Sequence, residues 1–501
     1  IERWHDFVIM IIGLALLGHG ASGTFLYLTR KLWKKNLGAF SVASTCDFSL
    51  SAFFCFIFSQ MIPFNPMDFL WNPKQFLYLM GLSGVLILPF FFAATTIGAL
   101  LSSGKFSLEK LYGADLLGAG VGGGIIVFFL FHVDPYTCLK IICTLALLGS
   151  LPLYFIKDED FRDKRAFLFL PFLLMGIIWL FPLEKKNNLF KPLEKTLLIP
   201  ETKVKRVISG PMAQLHLLES RKTPFRYAPG LSLKETPESF PSQLALFQDG
   251  MGFTVFHPEG IPAYVGSLTS ALPYALNPHT KKNVLLLTVD DDTLFWQAKF
   301  FEAKKITSTF ENEGIFKMFL DSIKDGDIFI REKWRVFLNP KDKNGNFDLI
   351  QVPLSFFKNH SGGPSNLKEN YNLTTESFKT LLNSLSEKGQ VVFNLPMGLP
   401  PKFYVRLLST LRTVISPEKM KKRMAVIRSW DTVVVLIQRK PLTGQSLNHL
   451  KTFAQKKNFD LVYFPGIEKN ELNRFHRLKR PLFYEITEKV LSPEGKTFIK
   501  N

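Results

Sequence analysis

The stretch VLLLTVDDDTLFW, residues 284–296, runs from an apolar strand pattern directly into Asp290, Asp291 and Asp292. In α/β domains the turn after such a strand is where nucleotides are held, and it is usually built from glycines. Glycine lets the backbone adopt φ > 0 and approach the ligand closely. Three carboxylates could instead hold a metal, but adjacent residues point in different directions and no partner cluster is evident. The plainest reading is an acidic, solvated helix start, because Asp favours the N-terminal end of a helix.

Other residues with chemical potential lie in apolar runs. GAGVGGG, residues 118–124, satisfies GxGxxG through Gly118, Gly120 and Gly123, but inside an apolar helix no phosphate could be solvated. Gly118/Gly122 and Gly120/Gly124 are four apart, which predicts close helix–helix packing. Asp47 and Asp115 fall within apolar runs, where a carboxylate is either functional or bonded to Ser, Thr or Tyr neighbours inside the bundle; both readings stand. His19 is also intramembrane. Haem ligation is a weak reading, because His19 and His132 fall at different depths and His5 with His132 would place the haem at a membrane face. The four cysteines, Cys46, Cys55, Cys138 and Cys143, all lie in apolar runs, so neither a zinc site nor a disulfide framework is indicated. No metal and no cofactor is expected.

The elements that must position these residues divide the 501-residue chain near residue 184. Six apolar runs come first, at about 5–28, 38–62, 76–102, 111–133, 136–156 and 166–183. Each is near the ~20 residues a helix needs to cross a bilayer, so residues 1–184 are expected to form a six-helix transmembrane domain. Ten Lys and Arg fall in the loops after runs 1, 3 and 5, from Arg30 to Arg165, against Arg3 and Lys74 on the other side. The positive-inside rule then makes those loops cytoplasmic and places residues 185–501 outside. The expected location is a bacterial inner membrane, with the soluble half in the periplasm.

After a Lys- and Pro-rich linker at 185–200, VKRVISGPMAQLHLLES and LALFQDGMGFTVF alternate like strands, and Asp249-Gly250 signals a hairpin. Residues 185–279 are read as linker and small β-subdomain. From 283 the pattern becomes strand–helix alternation, which predicts a mostly parallel sheet. Its strands are expected at 284–288, 305–309, 327–330, 348–352 and 390–394, with a closing pair at 424–428 and 432–438. That gives an α/β domain over 280–440 and an extension over 441–501.

LFQDG (246–250) ahead of a strand–helix array, with FDLI (347–350) and ENYNLTTESFKTLLNSLSEKGQVVFN (369–394), resembles the spermidine synthase, or aminopropyltransferase, family. LYGADLLGAGVGG (111–123) and FDLVYFPGIEKNELNRF (459–475) are similar to its membrane-embedded branch. The resemblance implies a Rossmann-like, methyltransferase-type domain with an N-terminal β-hairpin subdomain, and a pocket for decarboxylated S-adenosylmethionine. The residues it implies are not in place. The Gly-rich turn reads Thr288 to Thr293, and the ribose-binding acidic position reads Phe310, with Glu311 next to it and Asn312 beyond. Pro353 stands where the catalytic Asp would orient and deprotonate the amine, and AYVGSLTSALPY around Tyr264 fails to match the polyamine-binding stretch. The expectation is a pseudoenzyme with a degenerate pocket at Asp290, Asp291, Asp292, Phe310, Asn312 and Pro353, acting as scaffold in a larger membrane complex. The alternative is an active aminopropyltransferase, or related nucleotide-dependent transferase, with a variant pocket; a solute transporter using Asp47 and Asp115 is weaker.

The net charge of +19 resides mainly in the second half, in runs such as MKKRMAVIR (420–428) and RFHRLKR (474–480). These lack interleaved aromatics, so nucleic acid is not the expected partner. Other subunits of a membrane complex, anionic lipid headgroups or an acidic protein fit better.

Overall fold

The computed structural model describes residues 8–65, 68–155, 169–183, 191–234, 240–277, 282–322, 327–338, 346–357 and 371–495. It divides into two compact units, the first built mainly from residues 1–195 and the second from most of the remainder.

The first unit is helical: α1 Val8–Leu28, α2 Arg30–Lys35, α3 Leu37–Met61, α4 Lys74–Leu101, α5 Leu108–Leu130, α6 Pro135–Ser150 and α7 Phe169–Leu180, followed by the short α8 Pro192–Leu197. Among the described residues, five helices are long and apolar enough to cross a membrane: α1, α3, α4, α5, and α6 extended to Leu153. The sixth expected span is shorter. Its 12 described residues rise only about 18 Å, and residues 166–168 lie outside the described residues. The short α2 was not expected; it occupies the loop after the first run.

Helix ends follow their caps. Asp134 accepts hydrogen bonds from Tyr136 N and Thr137 N at 2.9 and 3.0 Å, with Pro135 at the first helical position. Val42, Cys46 and Phe53 of α3 pack with Cys143 and Leu147 of α6 and with Leu174 and Ile178 of α7. Outward positions carry Leu16, Leu17, Leu116, Leu117 and Phe128, at 60–72% exposure. Such surfaces are compatible with a membrane or a partner surface covering them.

The helix-packing glycines differ from those expected. A Cβ at Gly18 would lie 3.0–3.2 Å from Phe90, Phe91 and Ile87 of α4, and one at Gly98 would lie 2.7 Å from Leu26. At Gly118, Gly120, Gly122 and Gly124 nothing lies within 4 Å. The close approach is therefore between α1 and α4, and the α5 glycine stripe packs against no described residue.

The second unit carries two sheets. β1 Thr202–Ser209, β2 Gln214–Ser220, β3 Leu244–Gln248 and β4 Met251–Phe256 form a four-stranded sheet in that order. The β3–β4 hairpin turns at Asp249 and Gly250, both with positive φ (51° and 72°), as a two-residue primed turn requires.

The larger sheet contains β5 Asn283–Leu286, β6 Lys305–Thr309, β7 Ile328–Ile330, β8 Phe347–Val352, β9 Leu385–Pro396, β10 Met424–Arg428, β11 Thr432–Gln438 and β12 Asp460–Tyr463. Its order is β12-β10-β11-β9-β8-β5-β6-β7. The five strands β9-β8-β5-β6-β7 are parallel, and β10, β11 and β12 close the other edge antiparallel. Helices α9 Leu272–Leu276, α10 Thr293–Phe300, α11 Glu313–Ser322, α12 Trp334–Phe337, α13 Thr375–Asn383, α14 Lys402–Val414, α15 Pro417–Arg423, α16 Gly444–Lys457 and α17 Leu482–Leu491 complete the unit. Val284, Leu285, Leu286, Val391 and Val392 are fully buried, the unbroken apolar pattern of strands covered on both faces. The sheet runs past residue 440: β12, from the stretch read as an extension, pairs with β10.

Candidate functional site

Chain order places a crossover point between β5 and β8. From β5 the chain runs outward through β6 and β7, then returns to lay β8 on the other side of β5, with Leu285 opposite Ile350. In open α/β sheets, ligands bind beyond the carboxyl ends of the strands at such a reversal. Here a cavity of about 60 Å³ lies at this point, with Val289, Asp290 and Asp291 after β5, Pro353 and Ser355 after β8, and Asn394 on β9 among its walls.

The three aspartates do three different things. Asp290 lines the cavity, and its carbonyl accepts from Thr254 Oγ1 at 3.4 Å. Asp291 also lines it and accepts from Thr293 N at 2.9 Å, the first N–H of α10. Asp292 is 2% exposed, which corrects the expectation of a solvated run. Its Oδ1 lies 2.6 Å from His257 Nδ1, and its Oδ2 accepts from His257 N and Trp296 Nε1 at 2.7 and 2.9 Å.

That contact belongs to a buried chain. Gln243 Nε2 donates to the Tyr264 hydroxyl at 2.9 Å, and that hydroxyl lies 2.6 Å from His257 Nε2. With the amide donating to it, the Tyr264 hydroxyl is left to donate to the imidazole, whose Nδ1–H then donates to Asp292. Burial pushes the Tyr264 hydroxyl pKa well above its ordinary value. Tyr264, His257 and Asp292 do not line this cavity, and the chain ties the β4 end to the α10 start. Nothing in the local sequence around Asp292 signals it, because His257 lies 35 positions away.

A second polar node supports the cavity from the other side. Gly230, at φ +80°, donates its N–H to both Asp431 carboxylate oxygens at 3.1 and 3.2 Å. A Cβ there would fall 2.2 Å from Thr269 Oγ1 and 2.8 Å from Thr432 Oγ1. Thr269 and Thr432 line the cavity, 2.8 Å from one another. Tyr227 lines it too; burial, then the nearby Asp291 and Asp431, raise its hydroxyl pKa. Two cavity-wall atoms, Ser355 Oγ and Asn394 Oδ1, are buried without a hydrogen-bond partner among the described residues.

The remaining expected positions separate. Phe310 is 1% exposed and turned into an aromatic cluster, 4.8 Å from Phe319 between ring centroids. Asn312 accepts from Gly314 N at 2.9 Å, at the start of α11. The acidic residue that follows β6, two positions past Thr309, is Glu311, which accepts from Thr288 Oγ1 at 3.3 Å across the β5 turn. Asp47 and Asp115 are exposed on their helices and form no hydrogen bond among the described residues, so the expected bonding to Ser, Thr or Tyr is not found. His19 Nδ1 contacts its own helix at Ala15 O, 2.8 Å away, and His132 does likewise at Phe128 O; His5 lies outside the described residues. Among the described residues no group of three His, Cys, Asp or Glu could hold a metal.

No glycine is among the described walls of the crossover cavity, and its volume is about 60 Å³.

No protein-family model matches the chain, and no curated protein matches it. Among solved structures it is similar to a probable spermidine synthase from Corynebacterium glutamicum, at 10% identity and TM-score 0.34 over 50% of this chain and 87% of that one. It is also similar to the Thermotoga maritima spermidine synthase, at 14% identity and TM-score 0.34 over 56% and 88%. Human methyltransferase-like protein 13 follows at 11% and 0.27, over 38% and 89%. These are distant likenesses; strand order and crossover describe the fold more directly.

Proposed function

We propose that the chain is a membrane-anchored, catalytically inactive spermidine synthase-like protein that serves as an interaction subunit of a membrane complex. The observation that carries the inactive reading is the crossover cavity, which is small and has Pro353 in its wall. A proline side chain can neither take a proton from an amine nor bind an ammonium. The interaction reading is supported by the second unit's basic surface, where Arg474, Arg477, Lys479 and Arg480 are exposed on one loop. Its partner would present acidic groups. We place the chain in a bacterial inner membrane with this unit on the periplasmic side.

The variant-pocket transferase is kept as a second reading, favoured by the unpartnered Ser355 Oγ and Asn394 Oδ1 and by Glu311 just past β6. Purification from native membranes in mild detergent tests the first reading. A subunit that co-purifies at fixed stoichiometry, and dissociates as salt is raised, is expected. An isolated chain under those conditions would count against it.

A further inference from the structure

The helical unit holds a much larger cavity, about 760 Å³, among α1, α2, α4 and α5. By helix rise it extends from the α1 C-terminus to His19, roughly 14 Å back along that helix. Leu26, Ala94, Ile97, Leu101 and Ala119 give it apolar walls. Arg30 and Lys34 line it where α1 gives way to α2. Neither has a carboxylate partner among the described residues, and both are exposed. Trp33 fixes this end: it is 3% exposed, and its Nε1 donates to Leu26 O at 2.8 Å, an orphan carbonyl at the end of α1. Lys34 Nζ lies 5.8 Å from the Trp33 ring centre. Tyr27 and Trp33 are the aromatic types that settle at a membrane–water boundary. Asp115 lines the cavity two turns into α5 and forms no hydrogen bond among the described residues.

We propose that this cavity binds one membrane lipid with an anionic phosphate headgroup. Arg30 and Lys34 hold the phosphate, the guanidinium through paired N–H donors, and the apolar walls take the acyl chain. Asp115 repels a phosphate from the deeper end, so charge sets the lipid's direction. The volume falls within the range of ligand pockets, roughly 300–1,000 Å³. Inorganic phosphate offers the same headgroup chemistry but cannot use the apolar walls.

The test is native mass spectrometry of the full chain in detergent, titrated with phosphatidylglycerol, phosphatidylcholine or inorganic phosphate. One phosphatidylglycerol per chain is expected, in preference to phosphatidylcholine, with no displacement by millimolar phosphate. The double variant Arg30→Gln/Lys34→Gln should weaken retention about thirtyfold, on the usual contribution of two basic side chains to anionic lipid. Ala119→Trp keeps both charges and fills the cavity, and it should weaken retention comparably; Ala119→Leu should give a smaller loss if the bulkier variant unfolds. Full retention by both Ala119 variants would show lipid gathering on a basic surface, and would overturn the proposal. So would equal binding of the two lipids, or displacement by phosphate.

Discussion

At the residue scale, the acidic turn after β5 illustrates how neighbours of one type part company. Asp291 accepts a hydrogen bond from the first residue of α10, and Asp292 is a buried acceptor of hydrogen bonds from His257 and Trp296. Asp291→Ala should therefore cost about 1 kcal/mol, the ordinary net loss of one hydrogen bond. Asp292→Ala should cost more, roughly 1–3 kcal/mol for each buried donor of His257 and Trp296 left unsatisfied. Chemical denaturation of the full chain in detergent checks the order; equal effects would contradict it. Gly230→Ala should also be strongly destabilising, since its φ of +80° and the overlap with Thr269 act together. The missing glycines and Pro353 were legible in the sequence because they depend on residue type alone. The Tyr264–His257–Asp292 chain and the Gly230–Asp431 node were not, because tertiary structure brings their members together. Glu311 depends on register: β6 ends at Thr309, and one position separates Phe310 from this acid.

At the element scale, strands β6, β10 and β11 fall at the expected residues. For β10 and β11 an unbroken apolar run bounded by polar residues leaves little freedom of placement, while β6, KITST, is placed by its short span between two helical patterns. The four-residue β12 was hidden, because DLVY follows α16 and precedes a long loop. That loop hangs on a buried ion pair: Arg428 Nη2 lies 2.8 Å from Asp460 Oδ2, and Asp460 accepts from Phe475 N and His476 N at 2.8 Å each. Burial lowers the His476 pKa, Arg428 adds to the shift and Asp460 opposes it. A histidine with a depressed folded-state pKa binds its proton more readily when unfolded. Stability is thus full above the unfolded value, about 6.5, and is lost as pH falls through the folded one. Thermal unfolding from pH 7.5 to 5 should show this decline, and His476→Gln should flatten it. An unchanged slope would remove His476 as the cause. Helix packing was misplaced at α5 for a related reason: small-residue spacing marks where helices can approach, not which pair does. Gly18 with Ser22 on α1, and Ala94 with Gly98 on α4, carry the same small-residue spacing, and these are the two helices that meet.

At the scale of the whole molecule, five membrane-length helices precede an α/β unit with a small cavity at its crossover point. Orientation depends on whether the run ending in α7 also crosses. Trypsin added to spheroplasts should remove a C-terminal tag by cutting at exposed Arg474 or Arg477 if this unit lies outside; protection until lysis would reverse the topology. The central claim, that the crossover cavity no longer takes a nucleoside, has a more direct test in thermal unfolding of the full chain with S-adenosylmethionine or its decarboxylated form. A ligand that binds only the native state adds about 2.7 kcal/mol at a hundredfold excess over Kd, an easily measured shift. The account predicts no shift at millimolar concentration of either compound. A clear shift, abolished by Asp290→Ala or Asn394→Ala, would contradict it and make the chain a transferase with a working variant pocket.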